Sequence, residues 1–252
     1  MKNTLEKVMS FPLVFGVLSL LVYGFYSVVI GISLVPSVII VWCSVVWFAA
    51  SFSVLKLIVL CFIVAFSLYL FFMVALIVFG ITERLLTRGI KPGKYEVGSF
   101  TFIRWLINGG IHTIALNLIL PYMVGTDWIK MHFRLAGCKI GKNVFINSKG
   151  LHDSYLLKLG DNVVIGGDVN ITCHLFEGRT LILENIVIGD DTLIGAGSYV
   201  MPGTHIGREC SIGAYSVIRK NRQIEDGTTI MSMPGLPMRQ IAKIMKMSDS
   251  NK

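Results

Sequence analysis

A histidine within an interrupted repeat is the strongest candidate for chemistry in this chain of 252 residues. His174 lies in the stretch TCHLFEGRTLILENIV (residues 172–187), where a six-residue period of the second half of the chain is broken. A neutral imidazole near pH 7 can remove a proton from an attacking hydroxyl or amine. A carboxylate such as Glu177, or a backbone carbonyl, can hold such a ring in one tautomer. We therefore predict that His174 is a general base and that Glu177 is a second catalytic residue.

Three further residues lie close to interruptions of the period and could contact a substrate. His152 falls in an earlier interruption, Asn170 precedes the stretch with His174, and Arg179 follows Glu177. Arg179 could instead form a structural ion pair with Glu177. We predict that His152, Asn170 and Arg179 bind substrate.

The histidines of this half also raise the question of a metal site. Zinc sites in proteins use several histidines at short spacing. His152, His174 and His205 are far apart in the sequence and lack a short His-x-His pairing. We therefore expect no metal, and we predict that His205, which lies within a regular repeat, is a surface or interface residue.

The repeat itself predicts the fold of the second half. A β-branched aliphatic residue occurs at every sixth position, at Ile188, Ile194, Val200, Ile206, Ile212, Ile218, Ile224 and Ile230. Six residues of strand and turn can form one side of a triangular coil, in which the aliphatic residues stack inward. The pattern predicts a parallel β-helix of about five coils over residues 138–233, followed by a C-terminal turn and tail (234–252).

The first part of the chain has the composition of a membrane region. Between Lys7 and Glu83 the only charged side chain is Lys56. A spanning helix needs about 20 apolar residues, and Pro36 and Lys56 suggest two breaks. We predict a membrane region over residues 1–82, with helices at about 11–34, 36–54 and 56–81.

A connector over residues 83–137 is predicted to lie at the membrane surface. It contains an apolar stretch (100–124) whose polar residues, including His112, would be costly at the bilayer centre. An interfacial helix is therefore expected there, with His112 at the interface.

The distribution of charge indicates the side of the membrane and the partners. The chain has a net charge of +8, and residues 83–149 contain ten Lys and Arg against three acidic residues. Basic residues after a last span favour the cytoplasmic leaflet and its anionic lipids. We predict a multi-pass protein of the cell (inner) membrane with a cytoplasmic second half, bound to membrane lipids and not to nucleic acid. The number of crossings stays open.

Two motifs near the C-terminus resemble the hexapeptide acetyltransferases, which include the serine, galactoside and maltose O-acetyltransferases. These are IGAYSVIRK (212–220) and GLPMRQI (235–241). The resemblance implies a left-handed parallel β-helix, a homotrimer, acyl-CoA (acetyl-CoA) in the groove between subunits, and a histidine base.

A second likeness covers residues 80–220. The segments RLLTRGIKPGKYEVGSF, GTDWIKMHFRLAGCKIGKNVFINS and TCHLFEGR are similar to the membrane-associated terminal domain of some non-ribosomal peptide synthetases and to the membrane-bound domains of poly-lysine synthetase. In that group the domain follows transmembrane helices and transfers acyl or aminoacyl groups. The present chain has no adenylation or carrier domain and has a single copy of the domain.

Together these resemblances imply a donor site and an activity. Small residues would let the pantetheine arm approach the backbone, and basic residues would meet the phosphates of coenzyme A; the residues are Gly195, Ala196, Gly213, Ala214, Lys220 and Arg222. The expected activity is transfer of an acyl group, with acetyl the first choice, to a hydroxyl or amine of a small-molecule, lipid-linked or envelope-associated acceptor. The alternatives are aminoacyl or peptidyl condensation from a carrier protein and a non-catalytic trimeric scaffold.

Overall fold

Two long apolar helices begin the fold of the computed structural model, which describes residues 12–51 and 53–230. Helix α1 spans Pro12–Ala49 and helix α2 spans Val54–Thr87. They pack against each other, and the hydroxyl of Ser37 in α1 donates a hydrogen bond of 2.7 Å to the carbonyl of Ser67 in α2. Their outward side chains are large, apolar and exposed over most of their length.

The predicted break at Pro36 is wrong, because this proline lies inside α1. A proline costs a helix one backbone hydrogen bond, but apolar helices tolerate this when their neighbours pack closely. The second predicted break is present, a few residues earlier than expected, between Ala49 and Val54. Three helical stretches, Ser19–Ala49, Val54–Thr87 and Phe100–Tyr122, are long and apolar enough to cross a membrane.

The connector packs against the end of α2. It contains strand β1 (Gly93–Glu96), helix α3 (Phe100–Ile114), a π-helical turn (Ala115–Ile119), a 3-10 turn (Leu120–Tyr122) and helix α4 (Asp127–Leu135). Gly80 lets α4 approach α2, since a Cβ atom there would lie 2.9 Å from the Cβ of Leu135. Buried residues of this helical region and of the following strands form one continuous apolar core.

The second half is a parallel β-helix of five coils. The first coil contains β2 (Lys139–Ile140), β3 (Phe145–Ile146) and β4 (Leu151–His152), and the second contains β5 (Leu157–Leu159), β6 (Val164–Ile165) and β7 (Asn170–Thr172). Two further strands, β8 (His174–Glu177) and β9 (Thr180–Leu183), lie outside the coils. The remaining coils contain β10 (Ile186–Ile188), β11 (Leu193–Ile194) and β12 (Tyr199–Val200), then β13 (His205–Ile206), β14 (Ser211–Ile212) and β15 (Val217–Ile218), and finally β16 (Gln223–Ile224) and β17 (Thr229–Ile230).

Strands of successive coils form three parallel sheets, one for each side of the triangle. Their orders are β16-β13-β10-β5-β2, β17-β14-β11-β6-β3 and β15-β12-β7-β4. The aliphatic residue of each repeat is buried and stacks on its equivalent in the next coil, as Ile188 does on Ile206. The predicted fold class, a left-handed parallel β-helix behind an apolar helical region, is confirmed. The predicted C-terminal turn and tail, 234–252, lie outside the described residues.

Both interruptions of the period are visible in the fold. The first is a 3-10 turn (Ser154–Leu156) that follows Asp153, whose backbone is left-handed with φ 51°. The second is an antiparallel hairpin of β8 and β9, which β1 extends to a three-stranded sheet. This hairpin projects from the β-helix toward the connector and carries His174.

Candidate active site

The two interruptions meet at a histidine–aspartate pair. Strand β4 pairs with β7, and His152 lies opposite Thr172, so the residues that follow them, Asp153 and the start of β8, come together. The carboxylate oxygen Oδ2 of Asp153 lies 2.5 Å from Nδ1 of His174. The left-handed backbone of Asp153 allows the chain to turn there, and Asp tolerates this conformation better than most residues.

Trp105 of α3 holds the other side of the same carboxylate. Its indole N–H donates a hydrogen bond of 2.8 Å to Oδ1 of Asp153, and its ring lies edge-on to the His174 ring with centroids 4.9 Å apart. Asp153 is only 8% exposed. A buried carboxylate that accepts from Nδ1–H leaves Nε2 of His174 as the basic nitrogen. Nε2 has no hydrogen-bond partner among residues 12–51 and 53–230.

Glu177 does not contact the His174 ring. Side chains alternate along β8, so Glu177 lies on the opposite face from His174, while Phe176 shares the face of His174 and packs on Trp105. Glu177 instead forms an exposed ion pair with Lys220. The neighbouring Lys220 ammonium lowers the pKa of the Glu177 carboxyl. The carboxylate at the histidine is therefore Asp153, which lies 21 positions earlier in the chain and which the sequence analysis did not select.

His152 lies beside the pair, with its ring centroid 6.5 Å from that of His174. Its other neighbour is His112, at 5.2 Å. Burial lowers the pKa of His152 to about 4, and the nearby His112 contributes in the same direction. His152 is therefore neutral near pH 7.

The other predicted substrate residues lie in different surroundings. Asn170 borders, together with His152, a smaller cavity of about 200 Å³. Arg179 is at the tip of the hairpin, where its backbone carbonyl accepts a hydrogen bond from the N–H of Val97. No ion pair joins Arg179 to Glu177 in the part of the chain that the structure describes.

A cavity of about 560 Å³ opens in front of the pair. One wall is α1, another is α3, and the floor is the β-helix; the lining residues are Ser19, Val22, Tyr23, Tyr26, Trp105, Leu106, Asn108, Gly109, Gly110, His112, Thr113, His152, Asp153 and His174. Tyr26 closes the contact between α1 and α3 by donating a hydrogen bond of 3.1 Å to the carbonyl of Ile107. Gly110 makes room for that ring, because a Cβ atom there would lie 1.9 Å from the Tyr26 hydroxyl.

The predicted donor residues fall into two groups. The N–H groups of Gly195 and Gly213 donate to the carbonyls of Ile212 and Ile230 in the next coil, both at 2.7 Å. Those amides are used by the β-helix itself, so these two N–H groups are not free to donate to a ligand. The N–H groups of Ala196 and Ala214 have no such partner within the described ranges.

The two predicted phosphate-binding residues both lie in the last two coils. Lys220 and Arg222 are exposed between β15 and β16. The Lys220 ammonium is already paired with Glu177.

His205 and His112 also have clear positions. His205 is exposed on β13, as predicted, and does not line the cavity of His174. His112 is buried within the protein, with its Nδ1 atom 3.2 Å from Oε1 of Glu83. Sequence reasoning missed the partners Asp153, Trp105 and Glu83. The one available signal was the position of Asp153 in the first interruption of the repeat.

Comparisons with known proteins match this architecture. Residues 185–220 match the family model described as bacterial transferase hexapeptide (six repeats). A delta-poly-L-ornithine synthetase of Acinetobacter baumannii is 26% identical over 162 residues, 64% of this chain and 12% of its own length. A serine acetyltransferase of Staphylococcus epidermidis is 32% identical over 41% of this chain and 47% of its own length.

Among solved structures, a maltose O-acetyltransferase of Clostridium difficile covers 61% of this chain and 92% of its own, at 19% identity and a TM-score of 0.43. The chain spans less than half the length of the two curated relatives above. The 162 matched residues of the synthetase are more than the β-helix contains, so that likeness extends into the connector or the helices. The second half of this chain is thus similar to bacterial hexapeptide transferases, and the matched residues 185–220 form the third and fourth coils of its β-helix.

Proposed function

We propose that the protein is a membrane-bound acyltransferase that moves an acyl group from acyl-CoA to a hydroxyl or amine of a lipid-linked acceptor. The observation that carries this proposal is the His174–Asp153 pair, which faces a cavity walled by an apolar helix. The relatives that are acetyltransferases by name support the reaction class.

In the proposed mechanism Asp153 fixes the proton of His174 on Nδ1, and Nε2 removes the proton of the acceptor. The freed oxygen or nitrogen attacks the thioester carbonyl, and the tetrahedral intermediate collapses with cleavage of the C–S bond. The imidazolium of His174 then returns its proton to the leaving thiolate. Trp105 contributes by keeping the Asp153 carboxylate in place and by excluding water from one side of the pair.

The position of α1 supports a lipid-linked acceptor. Val22, Tyr23 and Tyr26 form an apolar and aromatic wall that is continuous with the exposed surface of the membrane helix. An acceptor group anchored in the bilayer could reach His174 along this wall. Confinement to the membrane would also raise its effective concentration at the site.

The donor is proposed to lie along the last three coils. The free N–H groups of Ala196 and Ala214 can donate hydrogen bonds to the amide carbonyls of pantetheine. Lys220 and Arg222 can bind the phosphates of coenzyme A. Apolar and aromatic side chains are exposed on the β-helix near these positions, including Tyr215 at 80% and Val217 at 66%. A homotrimer at the cytoplasmic membrane surface would cover them.

A second candidate reaction is aminoacyl transfer from a carrier protein. The similarity to the poly-ornithine synthetase favours it, because that likeness covers more of this chain than the match to the serine acetyltransferase. The same His174–Asp153 pair would serve, with an amine as acceptor and a carrier-bound thioester as donor.

The experiment that tests the proposal is thiol release from acetyl-CoA by the full chain in detergent, with bacterial lipid extract as acceptor. We expect turnover that requires the extract and disappears in His174→Ala, while acetyl-CoA still raises the thermal midpoint of the variant. Turnover only with a carrier-protein thioester would favour the second candidate. No turnover and no thermal shift with either donor would reject both.

A further inference from the structure

Three ionisable side chains meet in the helical region beside the cavity, which one of them, His112, also lines. Glu83 belongs to α2, His112 to α3 and His132 to α4, and none is more than 5% exposed. Oε1 of Glu83 lies 3.2 Å from Nδ1 of His112 and 3.5 Å from Nε2 of His132. All three ligand atoms lie within 4.8 Å of one another.

The hydrogen bonding of His132 determines which of its nitrogens faces the carboxylate. Nδ1 lies 3.0 Å from the backbone carbonyl of Leu76, so Nδ1 must carry a proton and donate it. In the neutral ring Nε2 then presents a lone pair toward Glu83, and Nε2 is buried without a hydrogen-bond partner. A lone pair and a carboxylate oxygen repel each other unless a proton or a metal cation lies between them.

The surroundings offer little other compensation. Gly80 packs directly on the His132 ring, since a Cβ atom there would lie 3.4 Å from Nδ1. Phe79 and Phe133 are buried next to the cluster in the chain, and the polar residues Thr87 and Asn108, one turn from Glu83 and His112, are buried as well. An ionised carboxylate is very costly in such a place unless it is paired or coordinates a metal.

We propose that Glu83, His112 and His132 bind one divalent metal ion, with Zn²⁺ the best fit. Two imidazoles and a carboxylate form an established zinc ligand set, with bonds of about 2.0–2.2 Å. Neighbouring ligand atoms of a tetrahedral site with such bonds are about 3.4 Å apart, and the two Glu83 distances of 3.2 and 3.5 Å lie on either side of this value.

The bond from His132 to Leu76 is also the kind expected around a metal. A ligating histidine usually donates its second N–H to a carbonyl or carboxylate, which fixes the tautomer and the ring. The three ligands come from three different helices. The metal ion therefore fastens the end of α2 to the connector that supports Trp105, and its ligand His112 also lines the cavity of the His174–Asp153 pair.

Cobalt substitution tests this proposal directly on the folded protein. The full chain, purified in detergent without an affinity tag, is stripped with a chelator and reloaded with Co²⁺. We expect visible absorption bands of tetrahedral Co²⁺ with a stoichiometry of about one per chain, displaced by Zn²⁺. Metal analysis of the protein as isolated should give about one equivalent of metal, mostly zinc.

Two conservative variants and one control assign the metal to these residues. Glu83→Gln and His132→Gln should lower the metal content to below about a tenth of an equivalent, and a His205→Gln control on the exposed surface should retain it. Unchanged metal content in both cluster variants would overturn the assignment. Absence of metal and of cobalt bands in the wild-type chain would overturn it as well, and would mean that a proton on His132 bridges to Glu83. Neither result depends on acyl transfer, so the metal site and the proposed reaction fail or stand separately.

Discussion

The regular coils and the interrupted coils of this β-helix are built from the same repeat, but only the interrupted ones bring chemistry together. In the regular part Val187 pairs with His205 and His205 with Gln223, which makes 18 residues per coil. In the interrupted part, the spacing between paired residues of successive coils is 19 residues from Phe145 to Val164 and 29 residues from Val164 to Leu193. A closed coil has no space for residues beyond 18, so the additional residues must leave it. Their side chains then no longer stack on equivalent positions of neighbouring coils.

The histidines show the consequence of this difference. His205 in a regular coil points outward from a strand and is exposed. His174 lies in the second interruption and is held by Asp153, Trp105 and the neighbouring Phe176. The same residue type is therefore a surface group in one region and a positioned imidazole in the other.

The matched pair His174→Ala and His205→Ala should give the largest contrast. Loss of a general base costs about 10²–10⁴-fold in turnover, so His174→Ala should lose at least that much and His205→Ala less than about twofold. Thiol release under saturating donor measures both. Equal losses in the two variants would contradict the assignment of the base.

Asp153→Asn should have the next largest effect on activity. The amide keeps the size of the side chain but can present its N–H₂ group to His174, which favours the wrong tautomer, and we expect a fall in kcat of about 10²–10⁴-fold. The thermal midpoint and the pH profile of kcat are measured beside it, with Glu177→Gln as the control. A Glu177→Gln loss as large as that of Asp153→Asn would show that the exposed carboxylate takes part.

Truncation of a stacked aliphatic residue tests the regular region. Ile206→Ala removes a fully buried side chain, and such a change costs about 2–5 kcal/mol of unfolding free energy. We expect a lower midpoint of chemical denaturation but nearly unchanged turnover per folded molecule. A large fall in turnover at temperatures where the variant is fully folded would argue against the separation of the two regions.

Acid should destabilise the interrupted region through His152. The pKa of His152 in the folded protein is about 4, below the ordinary value of 6.5. The unfolded chain therefore binds the proton first, and stability falls as the pH decreases from about 6.5 to about 4, by up to about 3 kcal/mol. Thermal midpoints over this range should fall less steeply in His152→Phe than in the wild type. Identical pH slopes in the two proteins would show that His152 is not the buried neutral group.

The ion pair of Glu177 and Lys220 should have the smallest effect on stability. Both side chains are about half exposed, and exposed ion pairs contribute little. Lys220→Met should leave the thermal midpoint unchanged within error. If Lys220 binds a donor phosphate, the same variant should raise the KM for acetyl-CoA, which initial-rate measurements determine.

Local pattern was sufficient to predict much of the molecule. The spacing of the aliphatic residues predicted the β-helix and its coils, because each repeat buries one residue at a fixed interval whatever surrounds it. Pro36 misled the prediction of the helices, since an apolar helix packed on a neighbour accommodates a proline that would end a helix in water. The repeat did not predict that the N–H groups of Gly195 and Gly213 are used by the ladder between coils, because that ladder depends on how successive coils stack.

Sequence pattern alone predicted the two halves of the chain, the repeat and the place where His174 leaves it. The contact of Asp153, rather than Glu177, with the His174 ring depends on how the elements pack. So do the position of α1 along the cavity and the meeting of Glu83, His112 and His132 beside it. The physical reason is that the repeat depends only on residues six positions apart in the chain, and is therefore a local property. The contacts of the site join an insertion to other elements, and their relative positions depend on how the helices pack on the β-helix.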